Sequence, residues 1–133
     1  MSGRDLMLEA AQDLEDLDLP RGASFEMEAW GKHPDGKKPT LDNLCRTSAC
    51  AAGWLSLMPK WRERGFKSEW KLNRMYNRWE LHADNGERGW EEMTNAVFGE
   101  EASRFMISIF GCTWKDREGV IANIRDAANG LPD

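Results

Sequence analysis

No run of this 133-residue sequence approaches the ~18 consecutive apolar residues that a membrane span requires. Its start, MSGRDLMLEAAQDLEDLD, is acidic and amphipathic, where a signal peptide is basic and then uniformly apolar. A protein that stays in the cytoplasm and engages no membrane is expected. Cysteine is scarce and odd in number (Cys45, Cys50, Cys112), which argues against a secreted disulfide framework and makes reduced thiols the default. Histidine is scarcer still (His33, His82). These five residues are the only soft metal ligands; Cys45 and Cys50 have four residues between them and there is no second close pair, so no zinc site is expected.

Catalytic signatures are missing as well. The chain has no glycine-rich phosphate loop, no Gly-x-Ser-x-Gly elbow and no His-Glu-x-x-His. Neither histidine has a nucleophile near it in sequence, although triads assemble from distant segments. Glu91, Glu92, Glu100 and Glu101 read as first-turn residues that favour the positive end of a helix dipole. A non-enzymatic protein without cofactors is expected.

What is present is hydrophobicity enough for a single domain over residues 1–133, 41% of the side chains, and such a chain buries roughly two-thirds of its unfolded surface. Leu6, Ala10, Leu14 and Leu17 recur at intervals of three and four, with Met7 and Ala11 widening the stripe, and predict an acidic helix over 2–18 ended by Pro20 and Gly22. Ser24 to Trp30 alternates Phe25, Met27 and Ala29 with polar residues, the period of a short strand. The loop chemistry of GKHPDGKKPTLDN follows.

Thr47 or Ser48 then serves as a cap for a helix over Ala49 to Met58, with Cys50, Trp54, Leu57 and Met58 on one face and small residues for close approach; Pro59 stops it. Leu72, Met75, Tyr76 and Trp79 have helical spacing and suggest a helix near 68–79, with ELHADNGERG as loop after it. Trp90, Met93, Val97 and Phe98 mark one short helix closed by Gly99. Ala102, Phe105, Met106 and Ile109 mark another, closed by Gly111. Thr113 with Asp116 resembles a capping box opening a last helix on which Val120, Ile121, Ile124 and Ala128 face inward. The expected fold class is mainly α: five or six short helices and at most one small β-hairpin.

Charge is segregated. Residues 1–19 hold six acids against Arg4, net −5, so the remaining 114 residues sum to zero. Residues 60–79, KWRERGFKSEWKLNRMYNRW, hold seven bases against Glu63 and Glu69, a local +5. Such segregation steers a partner or docks one part of the chain on another. In the basic tract Trp61, Arg62, Arg64, Lys67, Trp70, Lys71, Arg74 and Arg78 interleave rings and cations, the combination that grips single-stranded nucleic acid. The competing reading makes the rings core and the bases a solvated face whose stems lie over apolar surface. The acidic helix offers Asp13, Glu15, Asp16 and Asp18 as a surface on which carboxylates stand where phosphates would, as in a DNA mimic. Seven tryptophans are many for this length, and Trp and Arg are the usual anchors of protein interfaces.

The combination FEMEAW, CRTSACAAGW, WEEMTNAVFGEEASRFMISIFG and REGVIANI resembles a family of small uncharacterised proteins of phages, prophages and bacterial genomes. That family carries a Phe-x-Met segment and a Cys-Gly-Thr-x-x-Cys-x-x-Gly motif, which Cys45, Thr47, Cys50 and Gly53 match in position while Arg46 replaces the glycine. The resemblance covers roughly residues 24–128, with 60–88 as a variable or inserted part. It implies a phage or mobile-element accessory protein that binds a host protein, with inhibition of a defence system as its purpose. A nucleic-acid-binding module using 60–79 is the alternative.

If Cys50 is there to pack, Cys50→Ala folds with a modest loss of stability, whereas Trp54→Ala costs on the order of 3 to 5 kcal/mol in chemical denaturation. Tight zinc retention by the purified protein would contradict the first half.

Overall fold

The computed structural model describes residues 2–19, 21–27, 31–33, 38–40, 47–84, 89–111 and 116–131. Among them are six helices, and also a five-stranded mixed sheet that the mainly α expectation did not contain. The fold is α/β, with one continuous hydrophobic core.

The acidic helix α1 (Gly3–Glu15) is shorter than its hydrophobic stripe. Ser2 Oγ caps it by accepting from Asp5 N at 3.2 Å, and it buries Met7, Ala10, Ala11 and Leu14. Its C-terminal end carries Glu15 and Asp16, the wrong sign for the negative pole of a helix dipole. Arg117 compensates from the far end of the chain. Its guanidinium donates to the carbonyls of Leu14, Glu15 and Leu17, at 2.9 Å for Nε to Leu14, so that three outward carbonyls share one cation.

Strands β1 (Ser24–Phe25), β2 (Gly31–His33) and β3 (Ser48–Ala49) come next. The short strand expected over Ser24 to Trp30 forms at Ser24–Phe25 as β1, which pairs in parallel with β3, and β2 lies antiparallel on the other side of β3. Trp54 Nε1 donates to Ser24 O at 3.1 Å and so ties β1 to the helix that follows. That helix, α2 (Ala51–Ser56), is buried at all six positions. Its cap is Cys50, whose Sγ accepts from Gly53 N at 3.5 Å, in place of Thr47 or Ser48. Pro59 does not merely stop it. Proline lacks the N–H that a first helical position leaves unpaired, and Pro59 opens α3 (Pro59–Glu63).

The helix expected over 68–79 is instead a hairpin of β4 (Ser68–Asn73) and β5 (Arg78–Ala83), and the loop expected over ELHA is part of β5. Asn73 Oδ1 accepts from Met75 N (3.1 Å) and Tyr76 N (3.4 Å), an Asx turn, and Asn77 sits at φ +50°. The turn restarts the side-chain phase, so the i, i+3, i+4, i+7 pattern is a coincidence of two strands: Trp79 is partly buried, but Met75 and Tyr76 are 85% and 65% exposed. The sheet order is β1-β3-β2-β5-β4. At its middle Gly31 faces Leu81, where a Cβ would stand 2.2 Å from Leu81 Cδ1. Only glycine permits that approach.

Three helices complete the chain: α4 (Gly89–Phe98), α5 (Glu100–Phe110) and α6 (Arg117–Asn129). Asp116 caps α6 itself, accepting from Gly119 N at 2.8 Å; Thr113 lies outside the described residues. The apolar stripe of α6 (Val120, Ile121, Ile124, Ala128) packs along α1. No helix among the described residues is long and apolar enough to cross a membrane.

Arg117→Ala should cost about 1.5–3 kcal/mol in urea unfolding, since charge-assisted bonds to carbonyls are lost together. Arg117→Lys, a point charge without the planar fork, should recover only part of it.

Candidate functional site

Tracing the basic tract from its start, its first half turns inward. Trp61 is fully buried and stacks on Phe98, with centroids 5.4 Å apart. Phe66, also fully buried, meets Phe98 edge-on at 5.9 Å and Phe110 at 6.3 Å. The buried indole N–H of Trp61 needs an acceptor, and Asp13 of α1 supplies it at 2.8 Å. The same Asp13 oxygen takes Lys60 Nζ at 2.9 Å. One turn earlier, Glu9 holds Arg64 bidentately at 2.8 and 2.9 Å while the Arg64 guanidinium lies 4.8 Å over the Trp61 ring. Arg62 Nη1 donates to Ser56 O and Ser68 O, both at 2.9 Å, and joins α2, α3 and β4.

Of the eight residues proposed for partner or nucleic-acid contact, Trp61, Arg62 and Arg64 therefore work inside the fold, and Trp70 is buried, 8% exposed, edge-on to His33. The Trp70 indole N–H has no acceptor among the described residues, an arrangement that costs about 1–3 kcal/mol. Lys67, Lys71 and Arg74 face outward, and Arg78 is half-exposed. The four acidic candidates divide likewise. Asp13 is taken by Lys60 and Trp61, Glu15 by Arg125 at 2.7 Å and Asp16 by Gln12 at 3.1 Å. Asp18 lines a shallow groove between the end of α1 and α6, where Arg117 and Arg125 are already engaged.

The second half of the tract makes an exposed apex. Residues 67–78 carry four bases (Lys67, Lys71, Arg74, Arg78) against Glu69 alone, net +3. Met75 and Tyr76 project at the tip, and Arg78 lies 5.1 Å over the Tyr76 ring. Below them the solvent face of the sheet carries Glu80, bonded by Asn73 Nδ2 (2.9 Å) and Arg78 (2.7 Å) and flanked across the strands by Lys71 and Lys32. Met75 and Tyr76 are the residues that periodicity assigned to a buried helical face. The signal that would have found them is the pair of asparagines, Asn73 and Asn77, which bracket the turn.

Cys50 is buried, and burial pushes its thiol up to about 11, so it supplies no thiolate at neutral pH. Cys45 and Cys112, like Arg46 of the motif, lie outside the described residues. Among the described residues no three His, Cys, Asp or Glu side chains converge to hold a metal. No family model, curated protein or solved structure matches the chain.

The Arg64 guanidinium, and after it Lys60, holds the Glu9 carboxyl below its ordinary 4.5 against the opposing effect of burial. Arg125 lowers Glu15, and Asn73 with Arg78 lowers Glu80. A carboxylate whose folded pKa is depressed stabilises the fold above its unfolded value and loses that contribution as pH falls through the folded one. Stability should therefore decline with acidification below about pH 4.5, and the decline measured by denaturant midpoint should be shallower in Glu9→Gln. An equal slope in the variant would show that Glu9 and Arg64 are not coupled in solution.

Proposed function

We propose that the protein is a non-enzymatic accessory protein of phage type that acts in the host cytoplasm by docking on a host protein, a component of a bacterial defence system being the class of target. The β4–β5 apex is the docking element. The observation that carries this reading is the exposure of Met75 and Tyr76 on a turn held by Asn73, where neither side chain serves the core. A large thioether and a ring on a fixed tip are anchor residues of the kind that fill a partner's pocket. The surrounding +3 selects a pocket with an acidic rim. The resemblance of CRTSACAAGW and its neighbours to phage proteins supports the setting.

Nucleic-acid binding is the second reading, favoured by the outward Lys67, Lys71 and Arg74 beside the Tyr76 ring. It has lost Trp61, Arg62, Arg64 and Trp70 to internal roles, which leaves one exposed ring in the tract for stacking.

The test is affinity capture of tagged protein from a bacterial lysate at physiological salt after nuclease treatment, wild type beside Met75→Ala/Tyr76→Ala. The expected outcome is a stoichiometric protein whose retention the double variant weakens at least about tenfold with an unchanged melting temperature, as removing two exposed anchors would. Retention of nucleic acid alone, lost as salt rises and abolished by neutralising Lys67, Lys71 and Arg74, would replace the first reading with the second.

A further inference from the structure

Among the described residues strand β4 ends the sheet, with β5 as its sole neighbour. Backbone groups along a strand point alternately to its two sides. Lys67 O accepts from Asp84 N, across the hairpin, at 2.9 Å, whereas Ser68 O accepts from Arg62, which lies outside the sheet. The alternation then directs Glu69, Lys71 and Asn73 toward β5, and Ser68, Trp70 and Leu72 toward the open edge. No described residue bonds the outward N–H and C=O of Trp70 or Leu72. Leu72 is 41% exposed beside them.

Open edges invite pairing, and natural sheets discourage it with proline, bulges or exposed charges that repel a like strand. β4 instead carries one acid and one base, Glu69 and Lys71, flanking Trp70 on the solvent face, with side chains 49% and 58% exposed and only 3.5 Å from each other. We infer that a second copy of this chain pairs with the β4 edge, antiparallel, about a two-fold axis through Trp70.

In that register Trp70 lies opposite Trp70, Ser68 opposite Leu72, and Glu69 opposite Lys71, every unlike pair occurring twice by symmetry. Trp70 faces Trp70 and Ser68 faces Leu72 as hydrogen-bonded pairs, Ser68 O using its second lone pair beside Arg62, and the Glu69–Lys71 pairs occupy the close, non-hydrogen-bonded positions where side chains interact most. The neighbouring registers are worse. Moving the axis to Lys71 sets Lys71 against Lys71, and moving it to Glu69 sets Glu69 against Glu69. Opposite charges meet in the Trp70 register and like charges in both neighbours. The two sheets become one of ten strands, and Leu72 is covered. A strand-edge contact of this size makes a weak, concentration-dependent dimer. The apex residues Met75 and Tyr76 lie beyond the pairing, so the inference does not depend on their docking role.

Sedimentation velocity from about 1 μM to 1 mM protein tests it on the wild type, Glu69→Lys, Lys71→Glu and the double swap E69K/K71E. All substitutions fall on exposed positions. The expected result is a wild-type dimer, each single variant weakened about tenfold because two like-charge pairs replace two unlike ones, and the double swap restored. A wild type that stays monomeric throughout, a dimer indifferent to the single variants, or singles that the swap fails to rescue would each overturn the inference.

Discussion

The buried indole N–H of Trp61 sets the terms for the rest of the molecule. A tryptophan in the centre of a helical layer contributes more apolar area than any neighbour, but it does so only if its one donor is satisfied. Asp13 satisfies it, and Asp13 is on the first helix. The carboxylate cannot enter that environment uncompensated, so Lys60 stands against it and Glu9 and Arg64 close the adjoining turn. One donor thus fixes how α1 lies across α3, and α1 in turn fixes α6 through their apolar stripes and the Arg117 clamp.

The charge segregation of the sequence acquires a physical meaning from this arrangement. The acidic start and the first half of the basic tract are two sides of one intramolecular contact, partly exposed and therefore screened by salt, with Arg64 covering the Trp61 face as well as pairing Glu9. Charges so used already have partners within the chain. Further along the tract, at the apex, the bases have no acidic helix against them.

How much of this was legible follows from how far each element reaches in sequence. The helices with long stripes, α1 and α4 to α6, were readable because 3.6-residue periodicity survives over ten or more positions. β2 and β3, of three and two residues, are too short to show a period, and β1, which lies in the alternating stretch Ser24 to Trp30, joins β3 across more than twenty residues. The β4–β5 hairpin failed for a different reason. Leu72, Met75, Tyr76 and Trp79 fit a helix by arithmetic, and only the local chemistry of Asn73 and Asn77 distinguishes a turn from a fourth helical position. In the candidate site, composition singles out Trp61, Arg62 and Arg64 but not the burial of Trp61 or the pairing of Arg62 and Arg64 within the chain, since composition does not say which partner a cation has.

Arg62 is where the two halves of the tract part. With one guanidinium nitrogen it holds the end of α2 and the start of β4, and Ser56 Oγ and Ser68 Oγ meet at 2.7 Å beside it. Before that joint the chain is anchored to the core by Trp61 and Phe66. Everything after it follows the two-residue period of a strand, which buries Ser68 and Trp70 and leaves Glu69 and Lys71 in water. A helix through 68–79 would have buried Met75 and Tyr76 along one face and left no β4 edge. The hairpin does the opposite, because a sheet hides alternate residues only and a turn hides none. The exposed apex and the open edge are therefore consequences of a single choice, made where Arg62 pins the chain in an extended conformation at Ser68.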